Sequence, residues 1–319
     1  MNKIRCAVIG VGYLGKFHAE KYAGLKQAEL IGVVDQDKKT ACEIAEKYQT
    51  TAYTNYEELI GKVDAVSIVT PTLLHYEVAK FFLSHRVHVL VEKPITSTVN
   101  QANELIALAK QHNVILQVGH LERFNSVIIA LNGILTEPKF IESQRIAPFT
   151  LRGSDVNVIL DVMIHDIDLI CSMVKSPLSQ IMASGAPILT NEIDIANVRL
   201  QFENGCVANV TASRAGLKTE RLMRIFQSDA YIALNLQDKK LAVYRKGNGE
   251  MFPGIPNIEV EQESFDNHDA IKAEIIAFLD SVANGKPVIV SGEAGRDALK
   301  IAHDITTAIN TQWEKLHVS

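Results

Sequence analysis

The sequence predicts an α/β protein: a doubly wound parallel sheet first, then an α+β domain carrying a large, mostly antiparallel sheet. Three observations predict it. Up to about residue 120, short apolar runs rich in β-branched residues alternate with amphipathic stretches of helical length. That is the βα order of a parallel sheet covered on both faces. Past residue 120 the alternation stops, and strand-length segments follow one another between turn residues. The chain has 319 residues, enough for two cores of ordinary size. The boundary is drawn at 1–120 for the first domain and 121–319 for the second, with the C-terminal helix able to return to the first.

Strands are predicted at Ile4–Ile9 and at 30–34, 65–69, 87–91 and 114–118, each a continuous apolar run. Helices are predicted between them at 13–24, 38–48, 73–83 and 99–111. In the second domain a helix follows Glu122 and another covers 159–174. Strands are predicted at 194–202, 206–213, 222–227, 231–236 and 241–244. Val198, Leu200 and Phe202 alternate with Asn197, Arg199 and Gln201, the period of a half-buried antiparallel strand. Asn204-Gly205 between two strands is a hairpin signal. Two amphipathic helices, at 269–283 and 294–313, close the chain.

Composition removes several function classes. A formal net charge of -5 gives no general attraction to nucleic acid or an anionic membrane. No apolar stretch approaches the roughly 20 residues that span a bilayer, and Met1-Asn2-Lys3 runs into a strand without a secretory signal pattern. Cys6, Cys42, Cys171 and Cys206 are widely spaced and form no CxxC pair. They suit a reducing compartment, so the protein is expected in the cytoplasm.

Gly10-Val11-Gly12-Tyr13-Leu14-Gly15 reads GxGxxG directly after the first strand and at the start of a helix. Asp35 ends the second strand. This context is the dinucleotide fingerprint of the Rossmann fold. Gly10 permits the tight turn, Gly12 lets a pyrophosphate approach the backbone, and Gly15 lets helix and strand pack closely. The helix N-terminus offers free N–H groups to the diphosphate. The Asp35 carboxylate suits ribose hydroxyls and would repel a 2′-phosphate, and Gln36 and Asp37 bring no cation, so NAD is expected over NADP.

A dehydrogenase also needs a group to take the hydroxyl proton and one to stabilise charge on that oxygen. Two segments offer them. Glu92-Lys93-Pro94 closes an apolar strand at the ligand-binding edge of an open α/β sheet. In 161–168, Asp161, His165 and Asp168 share one face of an α-helix. Those three side chains also have the composition of a metal site, but the carboxylates could equally orient the imidazole. No metal is expected.

With these motifs in place, the chain resembles the Gfo/Idh/MocA family, the group of glucose–fructose oxidoreductase and inositol dehydrogenase. The resemblance rests on GxGxxG, Thr70-Pro71 followed by His75, Glu92-Lys93-Pro94, Asp161/His165/Asp168 and Asn284-Gly285-Lys286-Pro287. It implies that Lys93 contacts both the nicotinamide ribose and a substrate hydroxyl, that His165 is the acid/base, and that Asp161 lies close to the reacting sugar. It adds Tyr13, Leu14, Thr70, Pro71, His75 and Glu92 to the cofactor set. Met163 departs from the glycine common in the family and is expected to alter the helix surface near the site. The segment 119–125 places His120, Arg123 and Asn125 as substrate-binding candidates. With 161–168 it resembles the branch that oxidises the C3 hydroxyl of UDP-N-acetylglucosamine to a 3-keto sugar.

The expected partner is therefore a sugar or nucleotide sugar, and Arg123 and Arg152 are the candidates for a diphosphate. The basic residues Arg145, Arg214, Arg221 and Arg224 add to that preference. Two alternatives stay open: a dehydrogenase of free inositols or sugars, and a non-catalytic NAD-binding regulator. A homo-oligomer, dimer or tetramer, is expected through an exposed face of the antiparallel sheet.

Overall fold

The computed structural model describes residues 3–150, 156–265 and 268–317. The chain divides into two compact units, one of residues 1–124 and 269–299, the other of 125–268 and 300–319. The boundary expected at 120/121 falls just before the change of unit after Phe124, and 269–299 belongs with the first unit.

In chain order the first unit holds β1 (Ile4–Ile9), α1 (Gly15–Gly24), β2 (Ala28–Val34), α2 (Lys38–Tyr48) and β3 (Thr51–Tyr53). A 3-10 turn at Tyr56–Leu59 leads to β4 (Ala65–Ile68), α3 (Thr72–Ser84), β5 (His88–Glu92), α4 (Val99–His112) and β6 (Leu116–Gly119). The second unit runs from α5 (Ser126–Ala130) through β7 (Pro138–Pro148) and a π-helical turn at Ile159–Met163 into α6 (Ile164–Val174). There follow β8 (Leu178–Ala186), β9 (Ile195–Phe202), β10 (Val207–Gly216), β11 (Glu220–Gln227) and β12 (Tyr231–Asn235). β13 (Lys240–Phe252) and β14 (Ile255–Ser264) complete the strands. α7 (Ala270–Asn284) belongs to the first unit, and α8 (Gly292–His317) begins there and ends in the second.

The first sheet is wholly parallel, in the order β3-β2-β1-β4-β5-β6. The winding direction reverses between β1 and β4, and ligands of such sheets bind past the C-terminal ends of the strands at that reversal. Burial on both faces explains the continuous apolar runs. On one face Ile4, Cys6 and Val8 of β1 pack with Ala19 and Tyr22 of α1 and with Ile275 and Phe278 of α7. Burying each large apolar side chain contributes about 1.5–3 kcal/mol. Helix ends are set locally. The Asp37 carboxylate accepts the Lys39 N–H at the start of α2, and Thr98 and Gln101 form a reciprocal capping box at α4.

The second sheet has the order β14-β13-β12-β11-β7-β10-β9-β8, and β7–β10 is its parallel pair among antiparallel neighbours. The predicted hairpin is present: Gly205, at φ +84°, lies between β9 and β10. β3, β7, β8 and β14 were not predicted. β7 is central, yet its buried row is Ile141, Ser143 and Arg145. The polar pair is there because Ser143 Oγ and Arg145 Nε donate to the Asp166 carboxylate of α6, at 2.9 and 2.7 Å. A buried ion pair has replaced the apolar alternation that would have marked the strand.

Candidate active site

In the first unit the chain turns from β1 into α1 through the glycine motif. Gly10 has φ +85°, and a Cβ there would come within 2.7 Å of the Val69 carbonyl oxygen. A Cβ on Gly15 would lie 1.9 Å from the Gly10 oxygen. Gly12 differs: nothing lies within 4 Å of where its Cβ would be. That open side is the one a diphosphate approaches in this motif. Tyr13 beside it is exposed and Leu14 is half-buried.

Asp35 is held by backbone donors. Its Oδ2 accepts the Val11 N–H and its Oδ1 the Asp37 N–H, both at 3.0 Å. The carboxylate lines a cavity of about 360 Å³ together with Gly10, Asn55, Thr70, Pro71 and Glu77. The Thr70 hydroxyl is buried without a hydrogen-bond partner. An open glycine, a fixed carboxylate and an orphaned hydroxyl fit a dinucleotide. Asn55 and Glu77 were not predicted. β3, which leads to Asn55, is three residues long and too short to show a period.

Glu92, Lys93 and Pro94 follow at the end of β5. Glu92 Oε2 accepts the Lys93 N–H at 3.3 Å. His75 is 1 % exposed, with Nδ1 2.8 Å from the Pro94 carbonyl and Nε2 2.9 Å from that of Thr70. Burial lowers the pKa of its imidazole, against the two carbonyls that favour the charged ring. His75 thus lies between the loop after β4 and the loop after β5, both ring nitrogens facing backbone carbonyls, to one of which the neutral ring donates.

In the second unit Asn157 Oδ1 accepts the N–H groups of Ile159 and Leu160 and starts the helical segment. Its first five residues, Ile159–Met163, are π-helical, and only Ile164–Val174 is α-helical. A π turn widens the helix locally and recurs at functional sites. The three side chains therefore do not form one α-helical stripe: Asp161 and His165 are partly exposed, whereas Asp168 is 1 % exposed. Met163, which stands where the family often has glycine, is fully buried in the core. The approach to this segment is pinned by Arg214, whose Nη1 donates to the Val156 carbonyl at 2.6 Å and whose Nε donates to Asp194 at 2.6 Å. Burial would raise the Asp194 carboxyl, but Arg214 and the N–H groups of Thr190, Ile188 and Leu189 hold it well below the usual carboxylate range.

Residues 4–120 match an oxidoreductase family with an NAD-binding Rossmann fold, and residues 143–233 match the Gfo/Idh/MocA C-terminal domain. The chain is 38% identical, over 97% of its length and 98% of the relative's, to a UDP-N-acetylglucosamine 3-dehydrogenase of Acidithiobacillus ferrooxidans. It belongs to the Gfo/Idh/MocA family of oxidoreductases. A solved structure of that Acidithiobacillus enzyme superposes with a TM-score of 0.92, covering 98% of this chain and 99% of the other. A myo-inositol 2-dehydrogenase of Thermotoga maritima is 28% identical over 94% of both chains.

Gfo/Idh/MocA membership makes the chain an NAD-dependent dehydrogenase. The remaining candidates differ in what the fold asks of them. Asn125 spends Oδ1 on the Val127 N–H as the cap of α5 and donates from Nδ2 to the Leu236 carbonyl, so its visible work is structural. His120 is buried and Arg123 half-buried. Arg152 lies outside the described residues. Arg145 and Arg214 are consumed by Asp166 and Asp194, and Arg224 lies 3.6 Å from Glu142. Those three therefore lend no weight to an anionic substrate. Among the described residues no helix is long and apolar enough to cross a membrane.

Proposed function

We propose that this enzyme oxidises the C3 hydroxyl of a UDP-N-acetylhexosamine to a 3-keto sugar. The observation that carries the reading is the 38% identity over 97% of the chain to an enzyme named for that reaction. When bound, NAD supplies the nicotinamide that accepts hydride from the sugar carbon. Lys93 donates a hydrogen bond to the hydroxyl oxygen and stabilises the negative charge developing there. His165 accepts the hydroxyl proton, and Asp161 orients the sugar. The products are the ketone, NADH and one proton held on the imidazole. Arg123 and Arg152 are our candidates for the diphosphate, which calls for charge-assisted hydrogen bonds.

We also infer that the enzyme works in the cytoplasm as a dimer or tetramer. None of the four cysteines is in a disulfide. Phe140, Phe226, Tyr231 and Tyr244 form an aromatic row across the second sheet, with successive centroids 5.7, 4.9 and 5.2 Å apart, and Phe226 is exposed. Such a row is the kind of surface a second copy covers.

The test is incubation with UDP-N-acetylglucosamine and NAD, alone and with an aminotransferase and glutamate to draw off the ketone. NADH formation and a modified nucleotide sugar are expected. Turnover of free inositol with none of the nucleotide sugar would replace this reading by the inositol one.

A further inference from the structure

α1, β5 and α7 bring together three titratable side chains that take no part in the hydride and proton transfer above; one of them, Glu92, also belongs to the cofactor set. His18 of α1 is 1 % exposed and Glu274 of α7 is 0 % exposed. Neither ring nitrogen of His18 and neither carboxylate oxygen of Glu274 has a hydrogen-bond partner. One nitrogen or oxygen from each of His18, Glu92 and Glu274 lies within 4.8 Å of the others, and His18 Nε2 is 3.3 Å from Glu92 Oε1. Two carboxyl groups and an imidazole therefore share one buried space. A lone buried carboxylate neutralises in preference to staying ionised, and two carboxylates sharing a site cannot both ionise cheaply.

We propose that Glu274 is carried in the fold as a neutral carboxylic acid facing the Glu92–His18 pair, and that this cluster positions Lys93. The link to Lys93 is geometric. Glu92 Oε2 accepts the Lys93 backbone N–H at 3.3 Å. In the sheet register Glu92 stands opposite Gly119, where a Cβ would come within 2.9 Å of the Glu92 carboxyl carbon. Glu274 is itself anchored, since its backbone carbonyl accepts Gln117 Nε2 at 3.3 Å. Glu92 is thus bounded by β6, by its own backbone, by His18 and by Glu274. It cannot swing without moving the peptide that leads into Lys93.

Burial, and after it the charge of Glu92, push the Glu274 carboxyl well above the usual range. Of the elements packed against α7, α1 also carries Lys16, Glu20, Lys21 and Tyr22, the turn at Leu121–Phe124 carries Glu122 and Arg123, and Cys6 of β1 lies in the same buried cluster. Lys21 is drawn to Asp269 at 2.9 Å, and the Tyr22 hydroxyl is 2.8 Å from Ser67 Oγ. The positioning role rests on Lys93 acting at the substrate oxygen, so the test reads the cluster separately from turnover.

Infrared difference spectra of wild type against Glu274→Gln, without substrate, read the carbonyl stretch of a protonated carboxylic acid. A band present in wild type and lost in Glu274→Gln is expected; no band overturns the proposal. Metal analysis of the same samples is expected to find none held by the cluster. One divalent ion per chain in wild type, lost in Glu274→Gln, overturns it, because a cation would then balance the charge. Glu274→Leu removes the carboxylic acid and is expected to lower kcat about tenfold with NADH affinity little changed, while Glu274→Gln stays within about threefold of wild type. Undiminished kcat in Glu274→Leu overturns the positioning role. Lys93→Ala is judged apart: if it keeps turnover, the assignment of Lys93 falls while the infrared result still decides the state of Glu274.

Discussion

At the scale of single residues, we propose that Asp35 decides which dinucleotide is held. Its carboxylate is fixed by the Val11 and Asp37 N–H groups, and the cavity it lines contains a second acid, Glu77, and among the described residues no lysine or arginine. A 2′-phosphate would meet two carboxylates and no cation. NADPH is expected to bind at least about tenfold more weakly than NADH, about 1.4 kcal/mol. Fluorescence titration with both cofactors measures the gap, and equal affinities would refute it. Asp35→Ser should narrow it, chiefly by weakening NADH. Lys93→Ala and His165→Ala are each expected to lower kcat by roughly 10² to 10⁴, the scale of losing a positioned charge stabiliser or base. His165→Ala should leave NADH affinity nearly intact; near-wild-type turnover would remove His165 from the proton transfer. The places of Asp35 and the glycines in the fold were legible because they are written within one βαβ unit. His18 and Glu274 were not, because they lie far apart in the sequence and only folding brings them to Glu92. Arg145 and Arg214 misled for a related reason: a sequence shows a basic residue but not the carboxylate that consumes it.

At the scale of elements, the parallel strands were legible wherever both faces are apolar, as in β1, β4 and β5. β7 was hidden because its inward row includes Ser143 and Arg145. The segment 159–174 was predicted as one helix and is helical throughout, but its first turn is π. Nothing in the apolar period distinguishes 3.6 residues per turn from a single wider turn. The Arg145–Asp166 pair that disguises β7 also fixes α6 against it, with Arg145 Nε and Nη2 at 2.7 and 3.2 Å from the two carboxylate oxygens. Removing one partner of such a pair leaves an uncompensated buried charge. Arg145→Ala is therefore expected to cost about 3–5 kcal/mol in urea denaturation, and Arg145→Met with Asp166→Leu considerably less. If the single and double variants were equally unstable, packing volume and not the orphaned charge would be what matters.

For the whole molecule, buried titratable groups pull stability in opposite directions with pH. Burial holds His75 and His88 below the ordinary histidine value. His88 Nδ1 accepts the Ile115 N–H at 2.9 Å, a bond open only to the unprotonated nitrogen. Below about pH 6.5 the unfolded chain binds protons that the fold refuses, so these groups make stability fall as pH falls. For His75 the limiting slope is about 1.4 kcal/mol per pH unit, and His88, more open to solvent, adds less. Glu274 acts in reverse: above about pH 4.3 the unfolded chain releases a proton that the fold keeps, so its contribution falls as pH rises. Asp64 and Asp194 are held low, and what they contribute is lost only in more acid solution, as pH falls through their depressed folded values. Between pH 5 and 7 the histidines and Glu274 therefore partly cancel. Urea denaturation across that window should show wild-type stability changing gently with pH. Glu274→Gln should rise more steeply with pH than wild type, and His75→Gln less steeply. Parallel slopes for Glu274→Gln and wild type would mean that Glu274 is ionised in the fold, and the two-sided balance would be wrong.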